Sequence, residues 1–191
     1  MRIAVLASGS GTILQAMIEA SIPIQLVVTD RQCTAETIAT HNNITLTRVE
    51  RNSYGKDFDR DTYTCEVRDA LIDHEIDLIA MAGFGTILSK PIYDDFSNRI
   101  LNTHPSLLPS FPGWHAVEEA LEYGVKVTGC TVHIATEEVD AGPILAQESI
   151  PVLKDDTKET LHERIKTVER QLYVDTINKI ITTNGQIERD Q

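Results

Sequence analysis

The chain has 191 residues, of which 41% are hydrophobic and 24% are charged, and its formal net charge is −12 at pH 7. This length suits a single hydrophobic core, and the composition is that of an ordinary soluble globular protein. The acidic balance argues against nucleic acid or an anionic membrane as a partner, because both bind best to a basic surface. No apolar run is long enough for a membrane span or a secretory signal, so a cytoplasmic protein is predicted.

Cysteine and histidine spacing gives no sign of a cross-link or a metal site. Cys33, Cys65 and Cys130 are far apart and form no C-x-x-C pair, so we expect three free thiols. The histidines also lack the spacing of zinc ligands, and no metal is predicted.

Short apolar runs alternate with helical patterns along the whole chain. The predicted strands are Arg2–Ala7, Ile24–Thr29, Thr45–Val49, Leu78–Ala82, Arg99–Leu101, Gly129–Ile134 and Ile144–Val152. The predicted helices are Ile13–Ala20, Ala35–His41, Arg60–His74, Pro91–Phe96, Ala116–Tyr123 and Thr160–Ile181. This alternation predicts an α/β fold, with a single-domain, Rossmann-like, mostly parallel sheet and helices on both faces. We expect one domain over residues 1–181 and a frayed, polar C-terminal tail over residues 182–191.

Three loops follow predicted strands and are expected at the carboxyl edge of the sheet, where ligands bind in such folds. The first, Ser8–Thr12, joins a strand to a helix, and the glycines Gly9 and Gly11 let a phosphate approach the unpaired N–H groups. The loop has neither the lysine of a Walker loop nor the third glycine of a dinucleotide fingerprint. Phosphate binding and a tight turn without a ligand both remain open.

The stretch Asn102–His115 contains the residues best suited to catalysis. Asn102 and His104 are two residues apart at a strand end, so their side chains are expected on the same side. An imidazole can transfer a proton near neutral pH, and a carboxamide can donate to a developing oxyanion. A purely structural histidine is the alternative interpretation.

Asp140 and His133 are further polar residues of the second half. Asp140 lies in a turn before Gly142-Pro143, where a carboxylate near His104 would keep the imidazole charged and order a water. A plain Asx turn is the alternative. His133 alternates with apolar neighbours and is interpreted as a partly buried strand residue. A Ser-His-Asp hydrolase is disfavoured, because neither Ser8 nor Ser10 lies in G-x-S-x-G.

Five motifs in this order resemble those of the phosphoribosylglycinamide formyltransferase family. They are Ser8–Thr12, Ala82–Phe84, Asn102–Pro109, Thr128–His133 and Val139–Ile144, and the resemblance runs from Arg2 to about Ile181. It implies the formyltransferase fold and transfer of a formyl group from 10-formyltetrahydrofolate to the amine of glycinamide ribonucleotide in purine synthesis. It also implies small-molecule partners only, with no metal, and leaves open a monomer or a homodimer.

By the same resemblance, Asn102, His104 and Asp140 are the catalytic residues. Asn102 and protonated His104 stabilise the oxyanion, and Asp140 holds His104 charged and orders a proton-shuttling water. The implied substrate-binding residues are Gly9, Ser10, Gly11, Thr12 and Ile13 for the phosphate and Glu169 for the ribose hydroxyls. The implied folate-binding residues are Arg60, Phe84, Gly85, Thr86, Ile87, Leu88, Ala135, Thr136 and Val139. His115 is a second-rank candidate near the substrate.

Two departures from the family pattern affect the expected binding sites. Thr12-Ile13 stands where the family usually has Ser-Asn, which removes a side-chain contact to the phosphate. Gly85-Thr86 stands where the family usually has Met followed by Arg or Lys, which removes a large residue and a cation from the folate wall.

Other functions compatible with the residues are those of related formyl-tetrahydrofolate enzymes and of a non-catalytic module. A sugar-amine formyltransferase would use the same three residues. A formyltetrahydrofolate deformylase would carry an added N-terminal domain, and a methionyl-tRNA formyltransferase a C-terminal RNA-binding domain. A non-catalytic folate- or nucleotide-binding module would account for Gly85-Thr86 as loss of the donor site.

Overall fold

The computed structural model describes residues 1–183, 185 and 187, and these form thirteen helices and strands. The strands are β1 Ile3–Ala7, β2 Ile24–Thr29, β3 Thr45–Arg48, β4 Leu78–Met81, β5 Ile100–His104, β6 Val127–Ile134 and β7 Ile144–Pro151. The helices are α1 Thr12–Glu19, α2 Thr34–His41, α3 Arg60–Asp73, α4 Lys90–Asp95, α5 Ala116–Tyr123 and α6 Lys158–Thr182. Every predicted element is present, with ends displaced by a few residues at most.

The strands form one seven-stranded sheet in the order β3-β2-β1-β4-β5-β6-β7. β1 pairs in parallel with β2 and β4, β2 pairs in parallel with β3, and β6 pairs antiparallel with β7. The predicted α/β fold with a mostly parallel sheet is therefore confirmed.

The chain divides into two compact units, residues 1–101 and residues 102–191. The predicted single domain over residues 1–181 stays a prediction. Of the predicted tail, residues 184, 186 and 188–191 lie outside the described part of the chain.

Two strands of the first unit, β1 and β4, are buried on both faces. All five residues of β1 and all four of β4 are buried, which explains their unbroken apolar sequences. α1 buries Ile13, Leu14 and Met17, whose spacing places them on one face of the helix.

The second unit has a core of its own. Val117, Cys130, Ile150, Leu161 and Ile165 form a buried cluster that joins α5, β6, β7 and α6. Thr157 begins α6 with a capping box, in which its side chain accepts from the N–H of Thr160 and the Thr160 side chain accepts from the N–H of Thr157.

Candidate active site

β5 is longer than predicted, and it includes both Asn102 and His104 as strand residues. Because side chains alternate across a strand, these two residues lie on one face and Thr103 lies on the other. Their contacts agree with this placement, since Asn102 contacts His133 and Thr103 contacts Glu169.

The His104 side chain is 6% exposed, and each of its ring nitrogens faces an oxygen of the second unit. Nδ1 lies 3.2 Å from Asp140 Oδ2, and Nε2 lies 2.8 Å from the carbonyl oxygen of Phe111. A carbonyl and a carboxylate are acceptors only. Both ring nitrogens of His104 therefore face acceptor atoms.

Asp140 reaches His104 from a tightly constrained turn. Its φ of 56° is in the left-handed region, which Asp tolerates better than most residues. Gly142 follows, where a Cβ atom would lie 1.8 Å from the carbonyl oxygen of Ile134, so only glycine lets this turn pass so close to β6. The turn directs the carboxylate inward, and its side chain is 6% exposed.

The charge on Asp140 is stabilised by its neighbours. Burial alone raises the pKa of Asp140, but the nearby His133 ring, the hydrogen bond from the Gly113 N–H and the His104 charge outweigh it and lower the pKa. The Gly113 nitrogen lies 2.8 Å from Asp140 Oδ2. The carboxylate therefore stays ionised beside His104.

His133 is the residue that the sequence interpretation missed. It is 1% exposed, its Nδ1 lies 3.0 Å from the Ile134 carbonyl, and its Nε2 lies 3.2 Å from Asn102 Nδ2 and 3.6 Å from Asp140 Oδ1. Because an amide nitrogen can only donate, the Asn102 N–H is donated to Nε2 of His133. The only sequence signal was a polar residue in a strand that is otherwise buried from Thr128 to Ile134.

The loop after β5 is attached to β6 and β7 through two side chains. Thr131 Oγ1 donates to the Ser106 carbonyl and accepts from the Leu108 N–H, at 2.7 and 3.0 Å. Gln147 donates to the Leu108 carbonyl at 2.9 Å. These bonds hold the segment that supplies the Phe111 carbonyl to His104 and the Gly113 N–H to Asp140.

The predicted phosphate loop lies in the first unit, before α1. Gly11 has φ 70°, and a Cβ there would lie 2.9 Å from Ile38 Cδ1 and 3.0 Å from Ala35 Cα. Thr12 is exposed at the first position of the helix, whereas Ile13 is 7% exposed with its side chain in the core. The first-turn N–H groups of α1 are thus available to an anion, but the Ile13 side chain is not.

Arg31 occupies the space beside Gly85. A Cβ on Gly85 would lie 3.0 Å from Arg31 Nη2. Arg31 pairs with fully buried Asp30, and Thr86 Oγ1 donates to the same carboxylate at 2.9 Å. Burial raises the pKa of Asp30, but hydrogen bonds from Arg31, Ser8 and Thr86 outweigh it, and the pKa lies below its usual value.

The other predicted site residues differ in how far they reach solvent. In the first unit, Phe84 and Leu88 are buried, Ile87 is half-buried and Arg60 is exposed at the start of α3. In the second unit, Ala135 and Thr136 are half-buried, whereas Val139 and His115 are exposed. His115 Nδ1 lies 3.6 Å from Glu118 Oε1.

Glu169 lies on the buried side of α6 and is 8% exposed. Thr103 Oγ1 donates to Glu169 Oε1 at 2.9 Å. Burial raises the pKa of Glu169, and the Thr103 hydrogen bond and the charges of Lys166 and Arg170 only partly oppose that rise.

In the described part of the chain, no group of three or more His, Cys, Asp or Glu residues is arranged to hold a metal ion. None of the described helices is long and apolar enough to cross a membrane.

The fold and the cluster of half-buried Asn102 with the buried His104 and Asp140 side chains are those of an α/β enzyme. The chain matches the formyl transferase family model over residues 1–177. It is 44% identical over 186 residues to phosphoribosylglycinamide formyltransferase of Mycobacterium tuberculosis, covering 95% of this chain and 85% of that one. The chain therefore belongs to the formyl transferase family.

Solved structures are similar to this one over most of its length. The phosphoribosylglycinamide formyltransferase of Bacillus halodurans is 34% identical, has a TM-score of 0.88 and covers 100% of both chains. Glycinamide ribonucleotide transformylase 1 of Symbiobacterium toebii is 40% identical, has a TM-score of 0.84 and covers 92% of this chain and 84% of that one. The predicted family and formyltransferase fold are confirmed.

Proposed function

We propose that this enzyme transfers a formyl group from 10-formyltetrahydrofolate to the amine of glycinamide ribonucleotide in de novo purine biosynthesis. The observation that carries the proposal is the cluster of Asn102, His104 and Asp140. It lies in a chain whose relatives are named phosphoribosylglycinamide formyltransferase. A buried cation, an amide donor and an ionised carboxylate suit the transfer of an acyl group to an amine.

In this proposal the substrate amine attacks the formyl carbon, and the carbonyl oxygen becomes an oxyanion. One N–H of Asn102 is bound to His133, which leaves the second N–H to donate to that oxyanion. His104 stabilises it through its positive charge, because Phe111 and Asp140 already accept from its two nitrogens. Water ordered by Asp140 carries a proton from the attacking nitrogen to N10 of the folate. The bond between the formyl carbon and N10 then breaks and releases tetrahydrofolate.

The first-unit loop is proposed to hold the substrate phosphate through backbone N–H groups of Gly9, Ser10, Gly11, Thr12 and Ile13. Support comes from the left-handed Gly11 and from the unpaired N–H groups of the α1 first turn. Glu169 is proposed to accept from the ribose hydroxyls, since a buried carboxylate requires hydrogen-bond donors.

The formyl donor is proposed to contact Phe84–Leu88 and the loop residues Ala135, Thr136 and Val139, with Arg60 near its glutamate end. Both segments lie outside helices and strands, and Val139 is 47% exposed, which leaves it accessible to a bound molecule. His115 stays a second-rank candidate near the substrate.

The test is the dependence of tetrahydrofolate formation on the acceptor. Purified protein is expected to form tetrahydrofolate from 10-formyltetrahydrofolate only when glycinamide ribonucleotide is present. Release of formate without an acceptor would indicate a deformylase, and turnover with an amino sugar nucleotide instead would indicate a sugar-amine formyltransferase. No turnover with any acceptor would indicate a non-catalytic binding module.

A further inference from the structure

Thr103 stands between two residues of the proposed catalytic centre but faces the other side of β5. Its hydroxyl donates to Glu169 Oε1 at 2.9 Å, across 66 positions of sequence. Asn102 and His104 are its immediate neighbours. A single strand thus presents the catalytic side chains on one face and a hydrogen-bond donor for Glu169 on the other.

The basic neighbours of Glu169 are engaged elsewhere. Lys166 Nζ donates to Glu163 Oε1 at 2.8 Å, and Arg170 Nη2 donates to Thr167 Oγ1 at 3.3 Å. The hydrogen bond from Thr103 to Glu169 therefore comes from a neutral hydroxyl, not from a cation. An ionised carboxylate has about four lone-pair positions. One hydroxyl leaves capacity for the two hydroxyls of a ribose.

We propose that Thr103 is a positioning residue that holds the Glu169 carboxylate in the orientation needed to bind the vicinal hydroxyls of the substrate ribose. The inference rests on the proposed function, and it deepens it by naming the residue that determines the geometry of the sugar contact. A glutamate side chain has three rotatable bonds. A carboxylate that no hydrogen bond holds in place therefore loses conformational entropy when the substrate binds, which weakens binding. The Thr103 hydroxyl supplies that ordering in advance. Its loss should weaken substrate binding more than it slows the chemical step.

The test compares three threonine variants at saturating 10-formyltetrahydrofolate. Thr103→Val keeps the shape of the side chain and removes the hydroxyl, and Thr103→Ser keeps the hydroxyl. Thr176→Val is the matched control, because Thr176 is on the same helix as Glu169 and its hydroxyl donates to the Leu172 carbonyl of that helix at 2.7 Å. Thr103→Val should raise KM for glycinamide ribonucleotide about fivefold to tenfold, the range for one lost hydrogen bond. The kcat should change less than about twofold, and Thr103→Ser should recover KM to within about threefold of the wild type.

A substrate analogue whose ribose lacks the 2′- and 3′-hydroxyls separates positioning from a general structural defect. If Thr103 acts through Glu169 on those hydroxyls, Thr103→Val should weaken binding of the analogue less than about twofold relative to wild type. An equal loss on substrate and analogue, or an unchanged KM for the substrate, would overturn the inference. Wild-type protein that fails to use glycinamide ribonucleotide would instead refute the proposed function.

Discussion

Asn102 Nδ2 lies 3.2 Å from His133 Nε2, although the two residues are 31 positions apart in sequence. His133 holds its other nitrogen, Nδ1, against the Ile134 carbonyl at 3.0 Å. The register between β6 and β7 shifts between Val132 and His133, and such an irregularity redirects a side chain. His133 thereby fixes the orientation of the Asn102 amide.

His133→Asn should lower kcat by about tenfold to a hundredfold, because a free Asn102 amide loses part of its donor geometry toward the oxyanion. KM for the ribonucleotide should change little, since His133 contacts Asn102 and Asp140 and not the proposed phosphate loop. Steady-state kinetics together with a thermal unfolding midpoint would check this. A folded variant with wild-type kcat would show that Asn102 needs no anchor.

Gly85→Met should cost about 1–2 kcal/mol of unfolding free energy, as crowding in a packed site does. The new side chain must displace the Arg31 guanidinium, 3.0 Å from the Cβ position, and so weaken its pair with buried Asp30. Urea denaturation of the single and double variants would measure this. In an Arg31→Ala background the same substitution should cost less than about 0.5 kcal/mol.

Gly9→Ala is the control for that experiment, because a Cβ at Gly9 meets nothing within 4 Å. It should change the unfolding free energy by less than about 0.5 kcal/mol. Gly85→Met could instead cost the same unfolding free energy with and without Arg31. That result would mean that the position of the Arg31 guanidinium does not depend on the missing side chain at Gly85.

Gly11→Ala should destabilise the fold by about 1–2 kcal/mol and raise KM for glycinamide ribonucleotide. The left-handed φ of 70° penalises any Cβ, and Ala35 and Ile38 leave it no room, so the proposed phosphate loop must move. Gly124→Ala is the matched control, because Gly124 has φ 78° but nothing within 4 Å of a Cβ. It should carry a comparable stability cost without the change in KM. If both variants alter KM alike, the loop is not the phosphate site.

Glu169→Gln should be more stable than the wild type at pH 8, and the difference should vanish near pH 4. Burial raises the folded-state pKa of Glu169 above its unfolded value, so the folded protein binds more protons between those two pKa values. Wild-type stability from this group is therefore present below the unfolded pKa and is lost as pH rises through the folded pKa. Urea unfolding at both pH values measures the difference. A Glu169→Gln variant less stable than the wild type at pH 8 would contradict this prediction. The variant's gain in stability is expected to be accompanied by a raised KM for the substrate.

The alternation of side chains along strands and the residues typical of turns predicted much of the fold. They predicted only part of the candidate site. The spacing of Asn102 and His104 placed both on one face, and the strand proved to extend through them. Asp140 contacts His104 although the two residues are 36 positions apart in sequence. The turn sequence around Asp140 allowed this contact but did not require it.

Other contacts could not be predicted because they depend on tertiary geometry. A histidine between apolar residues, such as His133, carries no information about which side chain it faces. The Phe111 carbonyl reaches His104 from a backbone with φ 54° at Phe111. Bulky residues rarely adopt this conformation, so the sequence does not predict it. Likewise, no local pattern links Gly85 to Arg31, which is 54 residues away in sequence.

The kcat of His104→Ala with saturating glycinamide ribonucleotide tests the central claim most directly. Loss of the buried imidazole should lower kcat by roughly two to four decades, as removal of an oxyanion stabiliser or proton donor does. Circular dichroism should show the fold retained, and His41→Ala, at an exposed position of α2, should keep wild-type kcat. A folded His104→Ala with near wild-type kcat would contradict the assignment of this cluster as the catalytic centre.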